Sequence, residues 1–184
     1  MAGQIGDITI SASGPGHVGM FIAPDVIMHA QNRGGVHTDP LLKVTGGRFD
    51  YFTEFAFRPP WEKMTEAARA PKQAALLQIA NRMTDRVPYG IWRAIRLFAG
   101  STTFGSGAET RLKKYWERLN LIRGDANTKL VTKVTCVEAV VLTYQLAFYS
   151  DRIAPFFIQQ DAAHTMPHTL QEWLLRNKWT RVSV

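Results

Sequence analysis

His17-Val18-Gly19-Met20-Phe21-Ile22-Ala23-Pro24-Asp25-Val26-Ile27-Met28-His29-Ala30 is the passage from which the rest of the chain is read. Residues 17–22 and 26–30 are two short apolar runs separated by Ala23-Pro24-Asp25, the pattern of a hairpin with a turn between its strands. A three-residue connection places Ile22 opposite Val26, Gly19 opposite His29 and His17 opposite Gln31. Both histidines are odd-numbered in strands of period two, so they project from one face as diagonal neighbours. Gly19 leaves the space beside His29 clear of a side chain. A base held by a polar partner needs this arrangement: one imidazole takes a proton, and the second group fixes its tautomer and direction. Gln31, directly opposite His17, is a reserve orienter. The same pair also reads as two hydrogen-bonded histidines on a half-buried sheet, or as part of a metal site with His37 as third ligand, although no HExxH or Cys/His cluster accompanies it. A one-residue slip in register sends the histidines to opposite faces.

Working outward, the first sixty residues carry further strand signals. Residues 7–11 are rich in β-branched side chains, Gly14-Pro15-Gly16 breaks the chain, and Asn32-Arg33-Gly34-Gly35 turns it again. Residues 48–58 alternate aromatics (Phe49, Tyr51, Phe55, Phe57) before Pro59-Pro60 ends the run. The remainder is mainly helical. Residues 61–84 have helical apolar spacing, with a break expected at Pro71. Residues 108–122 place Leu112, Tyr115, Trp116 and Leu119 on one stripe opposite Arg and Lys. With no internal repeat and no linker, residues 1–184 read as one α+β domain.

The only cysteine lies at a second informative place, Thr135-Cys136-Val137-Glu138. Thr135 and Glu138 have the spacing of a capping box, which makes Cys136 the first residue of a helix. Free N–H groups and the helix dipole there are expected to favour thiolate over thiol, with Lys133 adding positive charge. The same N–H groups can hold an oxyanion. Set among Val137, Ala139, Val140 and Val141, Cys136 also reads as a core residue. A single cysteine cannot form an internal disulfide.

Composition narrows the setting. The 184 residues carry a formal net charge of +7 with a pI near 9.8, favouring anionic surroundings. The basic residues are scattered, without a zinc-finger or RNA-binding signature, so nucleic acid is not expected as a partner. No apolar run reaches the ~18–20 residues of a membrane span. No basic-then-apolar leader opens the chain, so synthesis in the cytoplasm is expected.

Taken together, Gly6-Asp7-Ile8, His17-Val18-Gly19-Met20-Phe21-Ile22, Val26-Ile27-Met28-His29-Ala30 and the distant Cys136-Val137-Glu138 resemble the circularly permuted branch of the NlpC/P60 superfamily of papain-like cysteine hydrolases. The likeness covers roughly the first fifty and last sixty residues, including a helix after Pro167. It implies a papain-like α+β fold in permuted order, a small antiparallel sheet packed against helices, with the nucleophile at a helix N-terminus. It further implies Cys136 as nucleophile, His17 as base, His29 as orienter, and no cofactor or metal. The implied activity is cleavage of amide bonds through a thioester, most often in peptidoglycan stem peptides, by a cysteine peptidase or amidase. Reaching a periplasm or cell wall without a leader calls for a dedicated export route, as for a delivered antibacterial effector with a cognate immunity or delivery protein, or a phage lytic enzyme. Relatives often have Cys-Ser-Glu where this chain has Cys-Val-Glu, so a hydroxyl beside the thiol is missing. Two alternatives stay open. One is a lipid acyl hydrolase or acyltransferase, with Tyr89, Trp92 and Leu97 among Arg86, Arg93 and Arg96 lying on a membrane, though the Asn-Cys-Glu-His signature of such enzymes is absent. The other is a non-enzymatic basic binding module with a structural cysteine.

Overall fold

A computed structural model describes residues 3–11, 16–41, 55–91, 103–121 and 128–184. Six strands form one antiparallel sheet: β1 (Ile8–Ser11), β2 (His17–Ala23), β3 (Val26–Gln31), β4 (Gly35–Pro40), β5 (Phe55–Arg58) and β6 (Thr180–Ser183), in spatial order β4-β3-β2-β1-β5-β6. Among the described residues four α-helices accompany it: α1 (Glu66–Met83), α2 (Ser106–Leu121), α3 (Cys136–Ala147) and α4 (Pro167–Arg176). The class is α+β. No helix among the described residues is long and apolar enough to cross a membrane.

Side-chain alternation explains how the sheet is covered. Ile8, Ile10, Val18, Met20, Met28, Ala30 and Val36 point to one face and join the main core. Phe21, Ile27 and Ala56 form a smaller cluster with Leu41, Val182 and Val184. α3 is buried along its whole length and packs against β2, β3, α1 and α2. At roughly 1.5–3 kcal/mol per fully buried large aliphatic side chain, its run of Val137, Val140, Val141, Leu142 and Leu146 accounts for its central place. A helix apolar on every side has to be central. Tyr144 locks it to the sheet by donating its hydroxyl to the Gly6 carbonyl. Gly6 has φ +91°, and a Cβ there would lie 2.6 Å from that hydroxyl.

The central hairpin differs from expectation at its tip. Gly19 faces His29, Met20 faces Met28 and Phe21 faces Ile27 as the spacing predicts, but Val26 pairs with Ala23 instead of Ile22. The turn is the two-residue Pro24-Asp25, and an irregularity between Phe21 and Ala23 absorbs the extra residue. Because the bulge lies beyond Phe21, the register at the histidines is that of the longer loop.

Three further differences have physical reasons. Pro71 does not break α1, which runs unbroken from Glu66 to Met83 behind a Thr65 cap (Ala68 N–H to Thr65 Oγ1, 3.3 Å). Proline there removes one backbone donor early in a helix that has many. β4 was not expected, since Gly35-Val36-His37-Thr38-Asp39-Pro40 lacks strand propensity; it is an edge strand, where proline and charge are tolerated. β6 pairs with β5 although its own pattern is short and polar. Of the strand expected over residues 48–58, residues 55–58 are β5, and 48–54 lie outside the described residues. α2 and α4 match the helices expected near 108–122 and after Pro167.

Candidate active site

The hairpin brings its two histidines together. His17 Nε2 lies 3.0 Å from His29 Nδ1, with the rings edge to face. On the far side of His29, Nε2 lies 3.3 Å from Asp39 Oδ2. β4 supplies this carboxylate, and because His29 pairs with His37 and Ile27 with Asp39, both β4 side chains fall on the histidine face. Gln31 Nε2 also approaches His29 Nδ1, at 3.4 Å, so the reserve orienter touches His29. His29 is fully buried, and His17 and Asp39 are each 8% exposed.

Partner chemistry assigns the protons along this row. A carboxylate only accepts, so His29 carries its hydrogen on Nε2 toward Asp39. Nδ1 of His29 is then an acceptor, and His17 donates to it from Nε2. The His17 nitrogen without a hydrogen is then Nδ1, the form a base requires. Burial, followed by the neighbouring His29 and His37, holds the His17 imidazolium down to about 3, so the ring is neutral near pH 7.

Cys136 sits where the capping box predicts. Thr135 Oγ1 accepts from Glu138 N–H (3.1 Å), and Glu138 Oε2 accepts from Thr135 N–H (3.3 Å). The thiol is 6% exposed and lies against the β2 backbone, where the N–H of Val18, the residue after His17, is directed at the sulfur. The N–H groups of Val137 and Cys136 itself point the same way. The late helix therefore reaches the early hairpin at the residue adjoining His17. One expectation is corrected: burial pushes the Cys136 thiol up, and the three N–H groups only partly offset this. Lys133 is exposed. The resting thiol is protonated because desolvation of a sulfur anion outweighs the helix-end field.

Two supports were not read from the sequence. Gly35 (φ +73°) lets the start of β4 meet the chain at Val87 and Pro88, where a Cβ would lie 2.4 Å from the Val87 carbonyl oxygen. Val36 N–H donates to Val87 O (2.9 Å), Gly90 N–H to Val134 O (2.9 Å) and Val134 N–H to Pro88 O (3.2 Å). This staple ties β4 to the residues just before Cys136 and sets Tyr89 beside Val134, within electrostatic reach of the thiol. Burial and then the Cys136 sulfur push the Tyr89 hydroxyl up to about 12. The second support is Gly16 (φ +75°), against which Pro167 of α4 packs, 2.9 Å from where a Cβ would stand. Asp39 could have been found only by recognising β4; after that, its odd number places it with the histidines.

No protein-family model, curated protein or solved structure matches this chain.

Proposed function

We propose that the chain is a cysteine hydrolase of the permuted NlpC/P60, papain-like kind, cleaving amide bonds through a thioester. One observation carries the reading: the Asp39–His29–His17 row is buried and hydrogen-bonded, and Val18, the residue that follows His17, turns its backbone N–H to the Cys136 sulfur.

In the mechanism, His17 Nδ1 takes the thiol proton as the sulfur attacks the acyl carbon. A neutral thiol–imidazole pair fits the upward shift of Cys136 and the downward shift of His17 better than a resting thiolate–imidazolium pair. The helix-start N–H groups stabilise the oxyanion. His17 then delivers its proton to the departing amine nitrogen as the C–N bond breaks. Water, giving a proton back to His17, attacks the thioester; the C–S bond breaks and the thiol recovers its proton. His29 keeps the His17 proton on Nε2, and Asp39 fixes His29.

The net charge of +7 suits an anionic polymer, and stem peptides of peptidoglycan are the substrate class we favour, in a wall-directed role such as an exported effector or phage lytic enzyme. The test incubates the protein with defined muropeptides and, separately, with phospholipids, and reads products by mass. Cys136→Ala should abolish muropeptide cleavage while circular dichroism and melting stay close to wild type. Full activity in that variant overturns the scheme, and turnover of phospholipid alone transfers it to lipid acyl chemistry.

A further inference from the structure

The histidine face also holds His37, which the hydrolase mechanism does not use, against two residues that it does. His37 Nε2 also lies 3.3 Å from Asp39 Oδ2, the same oxygen that His29 Nε2 approaches at 3.3 Å. The ligand atoms of His29, His37 and Asp39 all fall within 4.8 Å of one another. From these residues we propose a binding site for one divalent transition ion of the zinc class, which turns the hydrolase off by reversing the proton order along the histidine row.

Three features argue for the ion. First, tetrahedral bonds of about 2.0–2.1 Å put neighbouring ligand atoms roughly 3.3–3.4 Å apart; both nitrogen–oxygen separations here are 3.3 Å, and the third separation falls within 4.8 Å, so the two rings would draw together on the ion. Second, each histidine has its other nitrogen engaged, as metal-bound imidazoles do: His37 Nδ1 donates to the Gly35 carbonyl (3.0 Å), and His29 Nδ1 meets His17. Third, the Gly35 bond makes Nε2 of a neutral His37 a bare lone pair facing a carboxylate oxygen. Two acceptors face each other there unless a proton or a cation stands between them. The His37 side chain is 20% exposed, against none for His29, so the open side of the site is at His37.

The gating follows from proton bookkeeping, and this part rests on the hydrolase reading above. An ion on His29 Nε2 takes the place of the hydrogen there, so neutral His29 carries its proton on Nδ1. That N–H donates to His17 Nε2, and the His17 proton moves to Nδ1. No proton is gained or lost along the two rings. The nitrogen that must be bare to accept the thiol proton is then occupied.

The experiment uses the full chain after dialysis against a chelator. Zn²⁺ uptake is measured by equilibrium dialysis, Co²⁺ uptake by absorption, and Cys136 alkylation by iodoacetamide with and without Zn²⁺. One equivalent is expected to bind, with tetrahedral cobalt bands and no thiolate-to-cobalt charge-transfer band. Affinity should fall about tenfold or more in His37→Ala and in His37→Gln, the latter keeping a donor for the Gly35 carbonyl, and should hold in Cys136→Ser. Zn²⁺ should slow alkylation in the parent protein and not in the His37 variants. Absent uptake, unchanged affinity in both His37 variants, or dependence on Cys136 overturns the site. Uptake with unchanged alkylation overturns the gating. If alkylation of the metal-free protein ignores His17→Ala, the hydrolase reading fails, while the cobalt spectrum still decides the site.

Discussion

Asp161 and Asp39 each hold basic nitrogens of two different side chains on a single oxygen, with opposite consequences. Asp161 Oδ2 lies 2.6 Å from Arg111 Nη2 and 2.8 Å from His164 Nδ1. Asp39 Oδ2 lies 3.3 Å from the Nε2 atoms of both His29 and His37. Arginine keeps its proton at any ordinary pH, so the Asp161 charge is permanently balanced. Burial pushes the Asp161 carboxyl up, but hydrogen bonds from Arg111 and His164, the guanidinium charge and the Ala163 N–H together leave it below the usual carboxylate range. Asp161 also caps the short 3-10 helix Ala162–His164. It is a strut. The imidazole partners of Asp39 can instead shift a proton or exchange it for an ion. The comparison teaches that a carboxylate–histidine contact acquires chemistry when its partners can change state.

The same exchange at each site sharpens that contrast most. Asp39→Asn offers His29 an amide, whose NH₂ can face Nε2 and drive the His29 proton to Nδ1, the wrong order for His17. We expect kcat/KM on the cleaved substrate to fall by about 10²–10⁴-fold. Asp161→Asn should leave kcat/KM within about twofold, since Asp161 is engaged with Arg111, His164 and the Ala163 N–H. Activity near wild type in Asp39→Asn breaks the comparison.

Much of the site can be read from residue order because its parts are local. His17 and His29 belong to one hairpin, and strand alternation alone puts them on one face. Thr135 and Glu138 are three residues apart, and so predict the start of α3. What could not be read depends on tertiary placement. β4 is an edge strand whose Pro40 and Asp39 argue against pairing until β3 and the Val87 carbonyl are present. Tyr89 comes under the influence of Cys136 through the bridge to Val134; the sequence offers its segment as a helix packed on the core or, less readily, as a membrane-facing one, and Trp92, Arg93, Arg96 and Leu97 lie outside the described residues. The shift of Cys136 depends on how tightly α3 is enclosed, which a capping pattern does not report. Pro71 shows propensity yielding to a well-capped helix.

The strut should be visible in stability where the relay is visible in rate. A carboxyl depressed in the folded state adds stability above its unfolded value, 3.8 here, and that stability is lost as pH falls through the folded value. Arg111 is partly exposed, so solvent screens the pair. Asp161→Asn should therefore cost about 1–2 kcal/mol at neutral pH. That corresponds to about 3–6 °C in Tm for a chain of this size. The gap between the two proteins should close in acid. Melting curves between neutral pH and pH 3 test this, and a gap that stays constant across that range removes the strut assignment.

The smallest effect separates the two histidines that share these carboxylates from the outer side. The His164 side chain is 46% exposed and the His37 side chain 20% exposed, so neither ring carries much of the core. With Arg111 still on Asp161, His164→Ala removes an exposed contact of under about 0.5 kcal/mol, a Tm change of less than about 2 °C. His37→Ala should be similarly mild on melting. On metal uptake the two must diverge: the ion prefers a carboxylate flanked by two imidazoles whose second nitrogens are engaged, and Asp161 offers it a guanidinium, which repels cations and ligates none. Zn²⁺ titrations of the two variants side by side should show His164→Ala binding like the parent protein and His37→Ala losing the site. Equal losses would mean that the spacing around Asp39 Oδ2 has no more affinity for an ion than the strut it was compared with.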